Sequence, residues 1–329
     1  MPRIPPARRN RRFLLALLSG LVGSGLLWAV LLAGQLGSPP AATAWVEQAY
    51  AHKLARAAAI DGPRLLIVGG SGAMFGLDSA RLEEALGRPT INLGVNAGIQ
   101  SLFISAYARQ AIRPGDWVLL PLEYPLYHDY QRINYATLDY WLSHPGARQL
   151  GLTAWQAAQL YWQISLARLL RGYRPVPAEI SHGLYGPHNL DERGDQRGSE
   201  AINQAVWMRE AVERSAAERY SEGVSDFQAS WSRWRELAEH IDGLGGCAVF
   251  IPAALLQHAQ YLKGRERDYY QRLPERARRA GLRYVGEPHA FFYPQEDFFD
   301  TNYHLNAEAR TRHTERVIAL VQPVFRACR

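Results

Sequence analysis

Ser71 stands among glycines in Gly69-Gly70-Ser71-Gly72, directly after the apolar run Leu65-Leu66-Ile67-Val68. A serine hydroxyl becomes a nucleophile when a base takes its proton, and an imidazole steered by a carboxylate is a common device. The late stretch Asp300-Thr301-Asn302-Tyr303-His304 offers both groups within five residues. The spacing predicts Ser71 as nucleophile, His304 as general base and then acid, and Asp300 as the group that fixes the imidazole tautomer. Negative charge developing on an attacked carbonyl needs donors. Gly94, Asn96 and Gly98, in Asn92-Leu93-Gly94-Val95-Asn96-Ala97-Gly98, can supply backbone N–H groups or a side-chain amide. Glu123 and Tyr124 follow a further apolar run, and Asn302 lies between the acid and the histidine. A glutamate donates to an oxyanion only when protonated, so Glu123 is expected to orient a histidine, bind a substrate hydroxyl or brace the site. Taken singly, each residue has a plainer reading: a tight turn at Ser71, a solvated loop histidine at 304, and glycines that serve backbone geometry.

The elements around these residues read as an α/β chain. Leu65–Val68, Thr90–Leu93, Trp117–Leu120, Cys247–Ile251 and Leu282–Val285 are short apolar runs suited to strands buried on both faces. Helical stretches lie between them: 79–86, with Asp78 as N-cap and Gly87 as stop, then 100–112, 265–280 and 307–321, the last capped by Asn306. Strand–helix alternation predicts a parallel sheet with right-handed crossovers. The expected fold is a flavodoxin-like three-layer α/β/α domain of about five parallel strands, with ligands at the strands' carboxyl ends. Residues 63–128 form its first half and 241–329 its second. Residues 129–240 read as a helical insertion, with helices at 154–170 and 200–216 and an irregular loop at 175–198. This insertion carries six of the nine tryptophans: Trp141, Trp155, Trp162, Trp207, Trp231 and Trp234. They are expected to pack helices together or to line a lid or groove for a sugar polymer or a membrane partner.

Charge separates the chain differently. The net charge is +6, yet residues 1–52 alone hold five arginines against one acid. The folded remainder is therefore nearly neutral and gives no case for nucleic-acid binding. After the arginine arm, 1–12, comes an uncharged run within 13–35; Phe13–Gly34 as a helix would extend about 33 Å, enough to cross a bilayer core. Arginines before the span place the arm in the cytoplasm and the rest outside, in the periplasm or an equivalent compartment. Ala41-Ala42-Thr43-Ala44 offers an alternative in which the helix is a cleaved signal. Residues 36–62 read as a linker and a short helix with a stripe at Trp45, Ala49, Leu54 and Ala58. The two cysteines, Cys247 and Cys328, form either a disulfide or two free thiols. The ten scattered histidines show no metal-ligand spacing. The Gly69–Gly72 turn lacks the lysine of a phosphate-binding loop, and no cofactor is expected.

On Ser71, on the Gly94–Asn96 segment and above all on Phe299-Asp300-Thr301-Asn302-Tyr303-His304-Leu305-Asn306, the chain resembles the SGNH (GDSL-like) hydrolase superfamily. The resemblance covers roughly 63–128 and 246–325. Within that superfamily it is similar to the membrane-anchored proteins of teichoic-acid D-alanylation and alginate O-acetylation. It implies acyl-ester chemistry on a cell-surface glycan, as O-acyltransferase or esterase, beside a membrane-bound O-acyltransferase partner. Three departures stand out: Gly70 replaces the motif's aspartate, three residues rather than two separate Asp300 from His304, and Glu123-Tyr124 replaces Gly-x-Asn-Asp. A non-catalytic assembly or glycan-binding subunit is the alternative. A glycosidase built on Glu123 with Asp297 or Asp300 is a third reading.

Overall fold

The computed structural model describes residues 6–128, 135–143, 155, 162–221 and 229–328. They divide into two units, Met1–Thr43 with Leu138–Pro177, and Ala44–Thr137 with Ala178–Arg329. The stretch expected as one helical insertion is thus shared: 138–177 groups with the N-terminal helix, and 178–240 with the sheet.

In the first unit, helix α1 (Pro6–Ala33) begins inside the arginine arm and contains an apolar span, Asn10–Ala33, in which only Leu32 is buried. It is long and apolar enough to cross a membrane. After it, the short helix expected within 36–62 is α2 (Ala41–Ala58), which begins four residues before the expected stripe at Trp45. Its buried residues include Thr43, Ala44, Val46, Ala49, Tyr50, Lys53 and Ala57. The stripe is therefore rotated from the expected one, because the interior accepts Lys53 and leaves Ala58 outside.

The larger unit is a mixed α/β body around a four-stranded parallel sheet in the order β2-β1-β3-β4. The strands are β1 (Leu65–Ile67), β2 (Thr90–Asn92), β3 (Trp117–Leu120) and β4 (Cys247–Phe250). All but Trp117 are fully buried along their length, which is what continuous apolar runs under helices on both faces require. The expected fifth strand, 282–285, is reduced to one parallel bridge between Phe250 and Tyr284. There Phe250 N–H donates to Arg283 O and Val285 N–H to Phe250 O, while a tight turn joins Tyr284 N–H to Leu282 O and stops the ladder. The opposite border is covered as well, since Asn92 N–H donates to Arg193 O and Thr90 N–H to a Glu83 carboxylate oxygen. A second, two-stranded parallel pair joins β5 (Leu255–Leu256) to β6 (Phe292–Tyr293).

Helices α3 (Ser71–Gly76) and α4 (Ser79–Leu86) follow β1. Asp78 caps α4 by accepting from Arg81 N–H, and Gly87 ends it at φ +68°. Helix α5 (Gln100–Ala111) precedes β3. Further on come α6 (Tyr135–Ser143), α7 (Leu166–Gly172), α8 (Val206–Glu213), α9 (Ala229–Gly243), α10 (Gly264–Arg279) and α11 (Ala307–Ala327). The helix expected over 200–216 forms only across α8. Gln204 is drawn away to donate to the Phe298 and Phe299 carbonyls, and Ala205 is extended. Of the helix expected at 154–170, residues 154 and 156–161 lie outside the described residues, and its end forms a separate helix, α7, capped by Ser165.

The core joins Leu65, Ile67, Leu119, Val249 and Ile251 of the sheet region to Val317, Val321 and Phe325 of α11. Cys247 and Cys328 are disulfide-bonded, with Cα atoms 6.0 Å apart, closing a loop over a separation of 81 residues. Under β1 and β3, Arg64 and Asp116 form a fully buried ion pair at 2.6 Å, and Asp116 also accepts from Arg64 N–H at 2.8 Å.

Candidate active site

Ser71 opens α3 immediately beyond β1. The turn that presents it is held by Glu123, just after β3: one carboxylate oxygen accepts from Gly70 N–H at 2.9 Å and the other from Gly72 N–H at 2.7 Å. Glu123 thus brackets the serine from both sides. It is buried, and burial pushes its carboxyl up; the Gly70 and Gly72 amides and the charge of His304 pull the other way without cancelling the effect. Gly70 has no room for a side chain, because a Cβ there would lie 2.5 Å from Ala97 N and against the Glu123 carboxylate. That contact also sets the Asn96-Ala97 segment beside the serine turn.

On the other side, Asp300 and His304 meet as intended despite the three residues between them. Asp300 Oδ1 lies 2.7 Å from His304 Nδ1, and both side chains are buried. The intervening turn closes because Phe299 N–H donates to His304 O at 2.8 Å, just before Asn306 caps α11. The carboxylate beside Nδ1 assigns the proton to that nitrogen and leaves Nε2 as the basic one. Burial tends to raise the Asp300 carboxyl, but the His304 charge and hydrogen bonds from His304 and Tyr185 outweigh it and hold the carboxyl below its ordinary value. Tyr185 donates to Asp300 Oδ2, and its oxygen lies 3.5 Å from His304 Nδ1. The imidazole stacks face to face on Phe75, with centroids 4.1 Å apart and planes 3° from parallel.

Phe75 is four residues after Ser71 on the same helix, so the two share one face. His304 therefore packs on the residue one helical turn beyond the candidate nucleophile. Among the described residues, no hydrogen bond joins Ser71 to His304. Such contacts are often loose before substrate binds.

The oxyanion candidates separate. Gly94 N–H is used by Asn92 Oδ1 at 2.9 Å, and Gly98 N–H by Asn96 Oδ1 at 2.6 Å. Both expected backbone donors are thus spent on local turns, and the Asn96 side-chain amide N–H is left as the donor on this segment. Gly94 serves packing instead, since a Cβ there would lie 2.6 Å from Gly70 O and 2.8 Å from Ala73 Cβ. Tyr124 is fully buried, packs edge-on against Tyr270 at 4.9 Å and belongs to an aromatic cluster with Tyr220 and Tyr303. Asn302 contributes its carbonyl to Leu256 N–H. Neither Tyr124 nor Asn302 joins the hydrogen bonds of Asp300 and His304.

Four participants escaped the sequence. Tyr185 comes from the irregular 175–198 loop, and Phe75 reads as ordinary core. Lys53, fully buried on α2, donates to Gly94 O from behind the Gly94–Asn96 segment. Asp195 accepts from Ser79 N–H, Ser79 Oγ–H and Asn92 Nδ2–H. Burial draws the Lys53 ammonium down against the charges of Asp195 and Asp191, while burial and the Asp191 charge push the Asp195 carboxyl up against hydrogen bonds from Ser79 and Asn92. A lysine at a helix position three or four residues from Ala49, Tyr50 and Ala57 was the available signal, since that spacing is inward-facing.

The two-carboxylate arrangement of a glycosidase finds each member committed elsewhere. Asp297 pairs with Arg312 at 2.5 Å, Asp300 with His304, and Glu123 with two amides. Among the described residues, no group of three or more His, Cys, Asp or Glu side chains is placed to hold a metal.

Two adjoining cavities, of about 200 and 500 Å³, share Ser221 and Arg265 in their walls. Arg272 and Arg276 line the smaller, Glu218 and Lys263 the larger. Glu218 accepts from the hydroxyl of Tyr303, the neighbour of His304. No protein-family model, curated protein or solved structure matches this chain significantly, so the functional reading rests on these residues and distances.

Proposed function

We propose that this chain is a membrane-anchored SGNH-like acyl-ester enzyme acting on a cell-surface glycan. Ser71 Oγ attacks the ester carbonyl while its proton passes to His304 Nε2. The tetrahedral intermediate expels the alcohol, which takes that proton, and leaves an acyl group on Ser71. A sugar hydroxyl then repeats the attack in transfer, or water does so in hydrolysis, with His304 again accepting and returning the proton. Asp300 holds the imidazolium, and the Asn96 side-chain amide donates to the oxyanion.

The observation that carries this reading is the Asp300–His304 pair stacked on Phe75, one helical turn from Ser71. The strand order fits a flavodoxin-like doubly wound sheet, and the site lies at its carboxyl ends. The arginine-lined cavities suit a polymer bearing carboxylate or phosphate groups. The arginines at the N-terminal end of α1 and the Cys247–Cys328 disulfide support an exported domain in an oxidising compartment, where a membrane-bound O-acyltransferase would be its partner.

Ser71→Ala is the deciding variant. Surface glycan from cells carrying it should show altered ester content, and the purified protein should lose labelling by a serine-directed phosphonate. Unchanged ester content together with unchanged labelling would refute catalysis at Ser71. The second reading, a non-catalytic glycan-binding subunit, draws on the occupied Gly94 and Gly98 amides. It predicts that Ser71→Ala keeps full function in cells while loss of Arg272 and Arg276 does not.

A further inference from the structure

Outside α1, five of the nine large apolar side chains left exposed among the described residues fall in one unit, the other four being Ile202, Val206, Trp207 and Leu262. Trp155, Trp162, Leu166, Leu170 and Tyr173 all belong to the unit that contains α1. Leu166, Leu170 and Tyr173 follow at i, i+4 and i+7 along and just beyond α7, so they form one stripe. The opposite side of α7 is buried, with Arg168 and Leu169 fully covered. This is an amphipathic helix whose inward face is polar-bonded and whose outward face is apolar, the reverse of a solvated surface helix.

Its position along α1 is fixed by hydrogen bonds. Tyr173 donates to Leu31 O at 2.6 Å, and the Gln35 side chain donates to Leu169 O. Arg168 donates to Gln35 Oε1 at 2.6 Å and to the Asp139 carboxylate, fastening α6 to the same point. The α1 span of 24 residues is about 36 Å long against a hydrocarbon core of about 30 Å. Leu31 and Gln35 therefore fall at one boundary of the bilayer, and α7 with them. Aromatic side chains concentrate at that depth, and amphipathic helices lie there with the apolar face down. Arg171 and Arg174 are exposed beside the stripe, where lipid phosphates would meet them.

We propose that α7 and the tryptophans preceding it form a second membrane contact, an interfacial helix seated in the headgroup boundary of the leaflet into which α1 emerges. The occupant is lipid, because Tyr173, the last member of the stripe, is bonded to Leu31 at the end of the apolar span of α1. The contact rests on the anchored reading of α1 and would hold the chain at the bilayer by two elements instead of one.

The test uses the full chain in phosphatidylcholine–phosphatidylglycerol vesicles, with single cysteines labelled by an environment-sensitive fluorophore at Leu170→Cys, Leu21→Cys and Arg278→Cys. The Leu170 probe should show blue-shifted emission, strong loss of signal to nitroxide lipids labelled near the headgroup, and little loss to aqueous iodide. The Arg278 probe should show the converse. Iodide quenching at Leu170 with lipid quenching at Leu21 would overturn the interfacial contact and leave the anchor standing. Lipid quenching at neither would overturn the anchor and the contact together. A Leu170 probe shielded from both quenchers would mean a protein partner and also overturn the proposal.

Discussion

Replacing Glu123 by glutamine changes one oxygen to an amide nitrogen at the point where both flanks of Ser71 are held. The remaining oxygen can keep Gly70 N–H or Gly72 N–H, now at 2.9 and 2.7 Å, while the new NH2 confronts the other donor. Losing one hydrogen bond to a charged group costs about 1.5–3 kcal/mol, and the stranded N–H adds to this. An offset comes from burial, which already disfavours the charged carboxyl, so a neutral amide is easier to keep inside. The net expectation is a loss of about 1–3 kcal/mol in urea unfolding, with slower phosphonate labelling of Ser71. The pH dependence is a sharper check. Because the folded carboxyl is raised, its contribution is full below the ordinary glutamate range and falls as pH rises through the folded value. Glu123→Gln lacks that fall, so the parent's advantage should be largest in acid and narrow towards neutrality. A variant within about 0.5 kcal/mol of the parent at every pH, labelling Ser71 at the parent rate, would refute the role given to Glu123.

Tyr185→Phe removes a donor from Asp300, whose carboxyl should move back up towards its ordinary value. The stability that Asp300 supplies above the ordinary aspartate range would then be smaller and be fully lost at a higher pH on acidification, and the proposed activity should drop about tenfold. Gly94→Ala places a methyl 2.6 Å from Gly70 O, costing about 1–3 kcal/mol with loss of Ser71 labelling. Gly243→Ala, with open space around its methyl, should leave both measurements unchanged. Cys247→Ser with Cys328→Ser opens a loop over 81 residues and should lower stability by about 4 kcal/mol, matched by reductant treatment of the parent.

The sheet and the acid–histidine pair were legible because each is written locally. Leu65–Ile67 and Trp117–Leu120 are unbroken apolar runs, and Asp300 and His304 lie on one turn. What was hidden depends on distant chain returning. Tyr185 reaches Asp300 across 115 positions from a loop with no periodicity, and Lys53 reaches Gly94 across 41. The fate of the Gly94 and Gly98 amides was hidden for another reason. Asn92 and Asn96 satisfy them two residues away, and a sequence does not say which side-chain rotamer makes that turn. The loss of the fifth strand follows from a single tight turn at Tyr284 that composition does not announce.

The covered borders of the sheet bear on how copies of this chain tolerate one another. An open strand border is a template for a second molecule to pair with, and aggregation often starts there. Here Arg193 and Glu83 take the free amides of β2, and the segment around Tyr284 takes those of β4. Copies tethered by α1 would be crowded into a plane, where encounters are far more frequent than in bulk solution. With neither border offering a row of free amides, such crowding should not lead to strand exchange between neighbours.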